Sequence, residues 1–180
     1  MVSNQDSYAI RISGLGEGRH DFSFELDQKF FASFKQTEIE YGRVRAEVVL
    51  EKKHGLLSLH FKLEGEVSVV CDRCLEPFLA EINASHIIFV KIGRSPDAVE
   101  DDVMFIGKDD HEIEIGQHMY EFIILALPFK RVHPSDEAGN SLCNPEMLEK
   151  LEAHKAKEVN KSDQIDPRWD ALKGIIEKNN

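Results

Sequence analysis

The 180-residue chain has only three cysteines, an odd and sparse set unlike the dense, even framework of a disulfide-stapled secreted domain, so reduced thiols are expected. No stretch approaches the roughly 18 to 20 apolar residues that cross a bilayer, and the first ten residues lack both a basic start and an apolar run. The expectation is a soluble, cytoplasmic protein with no membrane partner. A phosphate-cradling glycine loop, a nucleophile elbow and a His-Glu-x-x-His stretch are all missing, so no motif supports catalysis and a nonenzymatic role is expected. There is no internal repeat. Basic residues are also in deficit, 22 Lys and Arg against 33 Asp and Glu for a net charge of −11, which argues against a surface coated for phosphate.

What is present begins with ordinary core material: 42% hydrophobic residues suit one domain, or one domain with a tail. Residues 8–12 and 19–26 alternate like strands around Gly14, Gly16 and Gly18 and predict an opening hairpin. Asp27 is placed to cap a short helix bearing Phe30, Phe31 and Phe34 at helical spacing. From Gly42 a meander follows, with strands over 43–53 and 56–63 about a turn at His54-Gly55, then 66–70 and 78–92. Residues 103–106 and 112–115 predict a further hairpin, and 115–127 a buried helix that stops before Leu127-Pro128. Asn144-Pro145 and Asp166-Pro167 each open a predicted helix, the second with Trp169, Leu172 and Ile176 on its apolar face. The expected class is therefore α+β, with a mainly antiparallel, curved or barrel-like sheet, flanking helices and a C-terminal helical arm. A β-rich core domain is expected over 1–130, and a polar segment with C-terminal helices over 131–180, packing on the core or extending from it.

Charge is unevenly spread. Between residues 95 and 122 nine acids stand against Lys108, about −8 locally, which leaves about −3 for the remainder. Arg43, Arg45, Lys52 and Lys53 near one hairpin, with Arg73, Lys130 and Arg131, are the candidates for a local RNA-binding basic patch, although a solvated surface charge is the default reading of each.

Chemistry concentrates at Cys71 and Cys74, three apart in Val-Ser-Val-Val-Cys-Asp-Arg-Cys-Leu-Glu-Pro-Phe, directly after a strand-forming run. Thiols so spaced can share a metal ion, form a redox pair, or sit reduced beside a turn. Redox pairs usually occupy a helix start, where the dipole lowers the thiol pKa, whereas Pro77 and a strand pattern follow here. A structural zinc site needs four ligands, so the pair alone is weak evidence for one.

The Cys-Asp-Arg-Cys-Leu-Glu-Pro-Phe segment, the helix ending Ile124-Leu125-Ala126-Leu127-Pro128, and Asp166-Pro167-Arg168-Trp169-Asp170-Ala171-Leu172 together resemble the YceD family, in the same order and over roughly residues 5–178. That resemblance implies a bacterial or plastid protein linked to accumulation of large-subunit (23S) ribosomal RNA, without established catalysis. Many family members carry a richer second cysteine cluster just after the Leu-Pro, whereas this chain offers His133 and Cys143. Two readings stay open. His133 and Cys143 complete a Cys₃His zinc site with Cys71 and Cys74, although the nine intervening residues exceed the usual finger spacing; or the metal is lost and polar contacts hold the segment. Function divides likewise, between a factor that binds ribosomal RNA or a pre-ribosomal particle and an acidic adaptor that meets a basic ribosomal protein, with a purely structural cysteine turn.

Overall fold

Strict alternation dominates the chain from residue 42 to 92, and it folds accordingly into long strands with one buried and one wet face. The structure, a computed structural model, describes residues 8–35, 38–93 and 102–155. In chain order the elements are β1 (Ala9–Arg11), β2 (Gly18–Leu26), α1 (Gln28–Ala32), β3 (Gly42–Lys53), β4 (Leu56–Val70), β5 (Pro77–Ile92), β6 (Val103–Ile106), β7 (Glu112–Glu114), α2 (Gly116–Ala126) and α3 (Pro145–His154).

The fold is α+β, built on a five-stranded sheet in the order β2-β3-β4-β5-β6. Its first four strands are antiparallel, but β6 runs parallel to β5, from Phe89 opposite Val103 to Ile92 opposite Ile106, so the sheet is mixed. β2 and β6 form its two edges and do not pair with each other, which makes it an open sheet and corrects the barrel-like expectation. Both predicted small hairpins are also corrected: β1 pairs with β7. That pairing sets Ile10 directly opposite Ile113, and both are completely buried, a gain that neither local hairpin would give them.

The inner face carries Val44, Ala46, Val48 and Leu50 from β3, Leu57, Leu59, Phe61 and Leu63 from β4, and Ile82, Ile88 and Val90 from β5. Each such aliphatic or aromatic side chain contributes about 1.5–3 kcal/mol on leaving water. Helices α1 and α2 and the β1–β7 pair join this core. Asp27 caps α1 by accepting from the Lys29 and Phe30 backbone N–H groups, as its position predicts. From α2, Tyr120 stacks on Phe34 at 4.1 Å, and Phe122 stacks on His86 of β5 at 4.0 Å.

Two backbone positions shape the β3–β4 pair. His54 (φ 50°) and Gly55 (φ 81°) close it with a two-residue turn in which both residues are left-handed, the geometry that matches strand twist. Farther along, Gly65 sits at φ +155°, and a Cβ there would lie 2.2 Å from the Arg43 carbonyl oxygen. Only glycine fits that close approach.

The outward-pointing side chains of β3, β4 and β5 remain exposed or half-buried. The second C-terminal helix predicted over 166–178 lies outside the described residues.

Candidate metal centre

β4 ends at Val70 and β5 begins at Pro77, directly across the ladder, so Cys71 to Glu76 must reverse the chain within a short loop. Backbone hydrogen bonds close it: Cys71 N–H donates to the Glu76 carbonyl at 2.9 Å, and Leu75 N–H to the Cys71 carbonyl at 3.0 Å. Leu75 takes a left-handed conformation at φ 61°, uncommon for a branched aliphatic residue. The same loop aims Arg73 N–H at Cys71 Sγ, 3.4 Å away. Its shape therefore turns Cys71 and Cys74 inward and leaves Arg73 and Leu75 exposed.

The other two candidates arrive from the polar segment beyond α2. Asp72 and Arg131 hold each other through two bonds of 2.7 Å, Asp72 N–H to the Arg131 carbonyl and Arg131 N–H to Asp72 Oδ2. His133 follows two residues later and packs on the Phe78 ring at 4.9 Å. The chain then makes a small return: Ser135 bridges Ser141, Asp136 accepts from the Asn140 backbone at 2.7 Å, and Gly139 takes φ 84°. This return answers the spacing objection, since it sets Cys143 beside His133 however many residues the loop contains. Asn144 then fastens the exit, donating to Glu76 Oε1 at 2.7 Å and capping α3 by accepting from the Glu146 and Met147 N–H groups.

Cys71, Cys74, His133 and Cys143 thereby come together, their ligand atoms all within 4.8 Å of one another. Cys71 Sγ lies 3.7 Å from Cys143 Sγ, Cys74 Sγ 3.4 Å from His133 Nδ1, and Cys143 Sγ 3.7 Å from the same Nδ1. A tetrahedron with Zn–S of about 2.3 Å and Zn–N of about 2.0–2.1 Å has S···S edges near 3.8 Å and S···N edges near 3.5 Å. The observed separations match those edges within a few tenths of an ångström and are far too long for a disulfide. The three cysteines are free thiols and buried, in a small cluster with Phe78, Val132, Met147 and Leu148. Burial pushes the Cys71 thiol up, but backbone N–H groups of Cys74, Arg73 and His133, with the His133 side chain, together draw it down to about 6. At Cys143 the Ser141 hydroxyl lowers the pKa, while burial and the neighbouring thiols of Cys71 and Cys74 prevail and raise it. A thiolate is thus favoured at Cys71 and opposed at Cys143, and a divalent cation would favour thiolate ligands. The donor set fits zinc.

The cations proposed for RNA are scattered. Arg43, Arg45 and Lys53 point outward from β3, where Arg43 stands opposite Glu66, Arg45 opposite Glu64, and Arg45 and Lys53 approach Glu47 and Glu51 at 3.6 and 3.2 Å. Lys52 points to the other face and donates to the Leu15 carbonyl at 2.8 Å. Arg131 pairs with Glu38 at 2.6 Å. Arg73 and Lys130 are exposed. Sequence reading missed Asp72, Glu76 and Asn144, which hold the loop, the segment and α3 together; Asn144 was visible there only as a helix start.

Among the described residues no helix is long and apolar enough to cross a membrane. No curated protein and no solved structure matches the chain. Residues 59–175 match the family described as Large ribosomal RNA subunit accumulation protein YceD, a span that begins in β4 and takes in both cysteine-bearing segments. Covering about two thirds of the sequence, that match places the chain in the YceD family.

Proposed function

We propose that the protein is a noncatalytic factor in large-subunit ribosomal RNA accumulation, acting by binding ribosomal RNA or a pre-ribosomal particle, with Zn²⁺ held by Cys71, Cys74, His133 and Cys143. The family description supports the process. The observation that carries the metal reading is the set of three tetrahedral edges among buried thiols and one imidazole. Zinc supplies no reaction in this arrangement, since four protein ligands close its coordination shell. It ties the β4–β5 loop to the 131–144 segment and so presents Arg73, Leu75 and Lys130 on a fixed surface.

The test has two parts. Protein purified without chelator is expected to carry about one zinc per chain, released by a thiol-reactive mercurial and measured with a chromogenic chelator. Crosslinking of the tagged protein in living cells, followed by sequencing of attached RNA, is expected to enrich large-subunit ribosomal RNA, and Cys71→Ser/Cys74→Ser to lose that enrichment at unchanged protein level. Crosslinks to a basic ribosomal protein in place of RNA would replace RNA binding with the adaptor reading. A zinc-free protein with full RNA enrichment would overturn the metal's role.

A further inference from the structure

The outward face of the sheet changes character along its length. In the middle of the sheet its cross-strand rows are charged, with Arg43 opposite Glu66, Glu66 opposite Glu81, and Arg45 between Glu25 and Glu64, while beside the cysteine loop Val70 and Leu79 are half exposed. Toward the His54-Gly55 turn the rows become apolar and aromatic. Glu51 faces Ser58, Ser58 faces Phe89 and Phe89 faces Val103; one row nearer the metal centre, His60 faces Ile87. Lys91 stands opposite Phe105, its ammonium 5.9 Å from the centre of that ring.

Phe89 is 53% exposed and Leu56 68%, apolar surface like that of Val70 and Leu79 at the opposite end of this face, but here with Lys53 and Lys91 alongside. A groove of about 280 Å³ runs beside Phe89 and Leu56, with Lys53 and Lys91 along it. The one acid in its lining, Glu51, is drawn to Lys53 at 3.2 Å.

We infer that this end of the sheet is a stacking platform for single-stranded RNA, with unpaired bases lying on Phe89 and Phe105 and adjacent phosphates meeting Lys53 and Lys91. Two phenylalanines on adjacent strands, two residues out of register, place an exposed and a half-buried ring on one face, and the flanking ammonium groups supply the complementary charge. His60, half-buried beside Phe89 on the next strand, adds a third flat ring. Among the described residues α1, α2 and the β1–β7 pair gather on the inner side and leave this face uncovered. This inference rests on the ribosomal RNA reading and names a contact surface distinct from the metal centre.

The test uses the zinc-loaded full chain and a fluorescein-labelled, uridine-rich single strand of about 12 nucleotides, followed by anisotropy between about 50 and 200 mM salt. Two phosphate contacts predict a log–log salt slope of about −1.4, reduced by about 0.7 in Lys91→Glu. Phe89→Ala is expected to weaken binding about ten- to hundred-fold with an unchanged melting temperature, while Phe89→Tyr, which keeps the ring, retains it. Affinity that Phe89→Ala leaves unchanged, or tighter binding of an apolar basic peptide than of RNA, would overturn the platform. In-cell crosslinking separates the two levels: ribosomal RNA recovered equally with wild type and Phe89→Ala rejects the platform and keeps the ribosomal reading, whereas no RNA with either rejects both.

Discussion

His118 sits in surroundings that oppose its charged form. It is half-buried on α2, its Nδ1 has no hydrogen-bond partner among the described residues, and burial lowers its pKa although Glu121 pulls the other way. The unfolded chain therefore binds this proton more readily than the folded one, so its contribution to stability is intact above about pH 6.5 and is lost as pH falls through that region toward the lowered native pKa. Thermal melting of the wild type is expected to drop between about pH 7 and 5, and His118→Gln to flatten part of that drop; parallel profiles for both proteins would show that His118 is not responsible. At the four proposed ligands the expectation concerns occupancy: Cys143→Ser leaves three donors and should lose bound zinc on gel filtration, while Ser141→Ala keeps it.

Those ligands also show how far single residues could be read in advance. Cys71 and Cys74 stood out because a pair of thiols three apart has few uses. His133 and Cys143 were nameable only as candidates, since sequence separation says nothing about a loop that returns on itself through a Ser135–Ser141 bridge. Phe89 and Phe105 escaped notice because a phenylalanine in a strand is read as core until the register shows which face it occupies.

At the scale of the element, the long strands were legible from period-two alternation and the capped helices from Asp27 and Asn144. Partner choice was not. The short strands β1, β6 and β7 carry three or four residues each, too few to encode a neighbour, and tertiary burial of Ile10, Ile106 and Ile113 chose for them. The β3–β4 pair makes a sharper prediction. Gly65→Ala would push a Cβ into the Arg43 carbonyl and the Val44 Cα, so a loss of about 2–4 kcal/mol in denaturant unfolding is expected, without a change in zinc content. A melting temperature equal to wild type would mean that the strands part there at no cost. In α3, Asn144→Ala removes a cap and the bond to Glu76 together, for about 1–2 kcal/mol of local stability, read as faster amide exchange in 145–154 alone.

At the scale of the whole molecule, the described residues form two hydrophobic clusters, one of 24 buried residues under the sheet and one of the three cysteines at its end, that meet only through Phe78 at their margins. Their failure should be separable. Chelating zinc is expected to open residues 131–155 to protease while the five-stranded sheet keeps its amide protection; simultaneous collapse of both would show a single cooperative unit. The net charge of −11 gives the intact protein a general repulsion for RNA, so any binding must come from local contacts and should fade steeply with salt.

The length of β4 imposes a span on whatever the protein holds. From Ser58, beside Phe89, to Val70, at the threshold of the cysteine loop, twelve residue steps at about 3.3 Å each carry the strand about 40 Å, with β5 bonded alongside for the whole distance. The two ends of the molecule are thus a calliper with fixed jaws. On the proposed RNA reading a short oligonucleotide would fill one jaw and leave the other empty, whereas a folded ribosomal precursor bringing two segments to that separation would engage both, the second contact costing far less entropy than the first. Affinity for fragments should accordingly understate affinity for the assembled particle, and the discrepancy itself would measure how well the precursor's shape fits the gap.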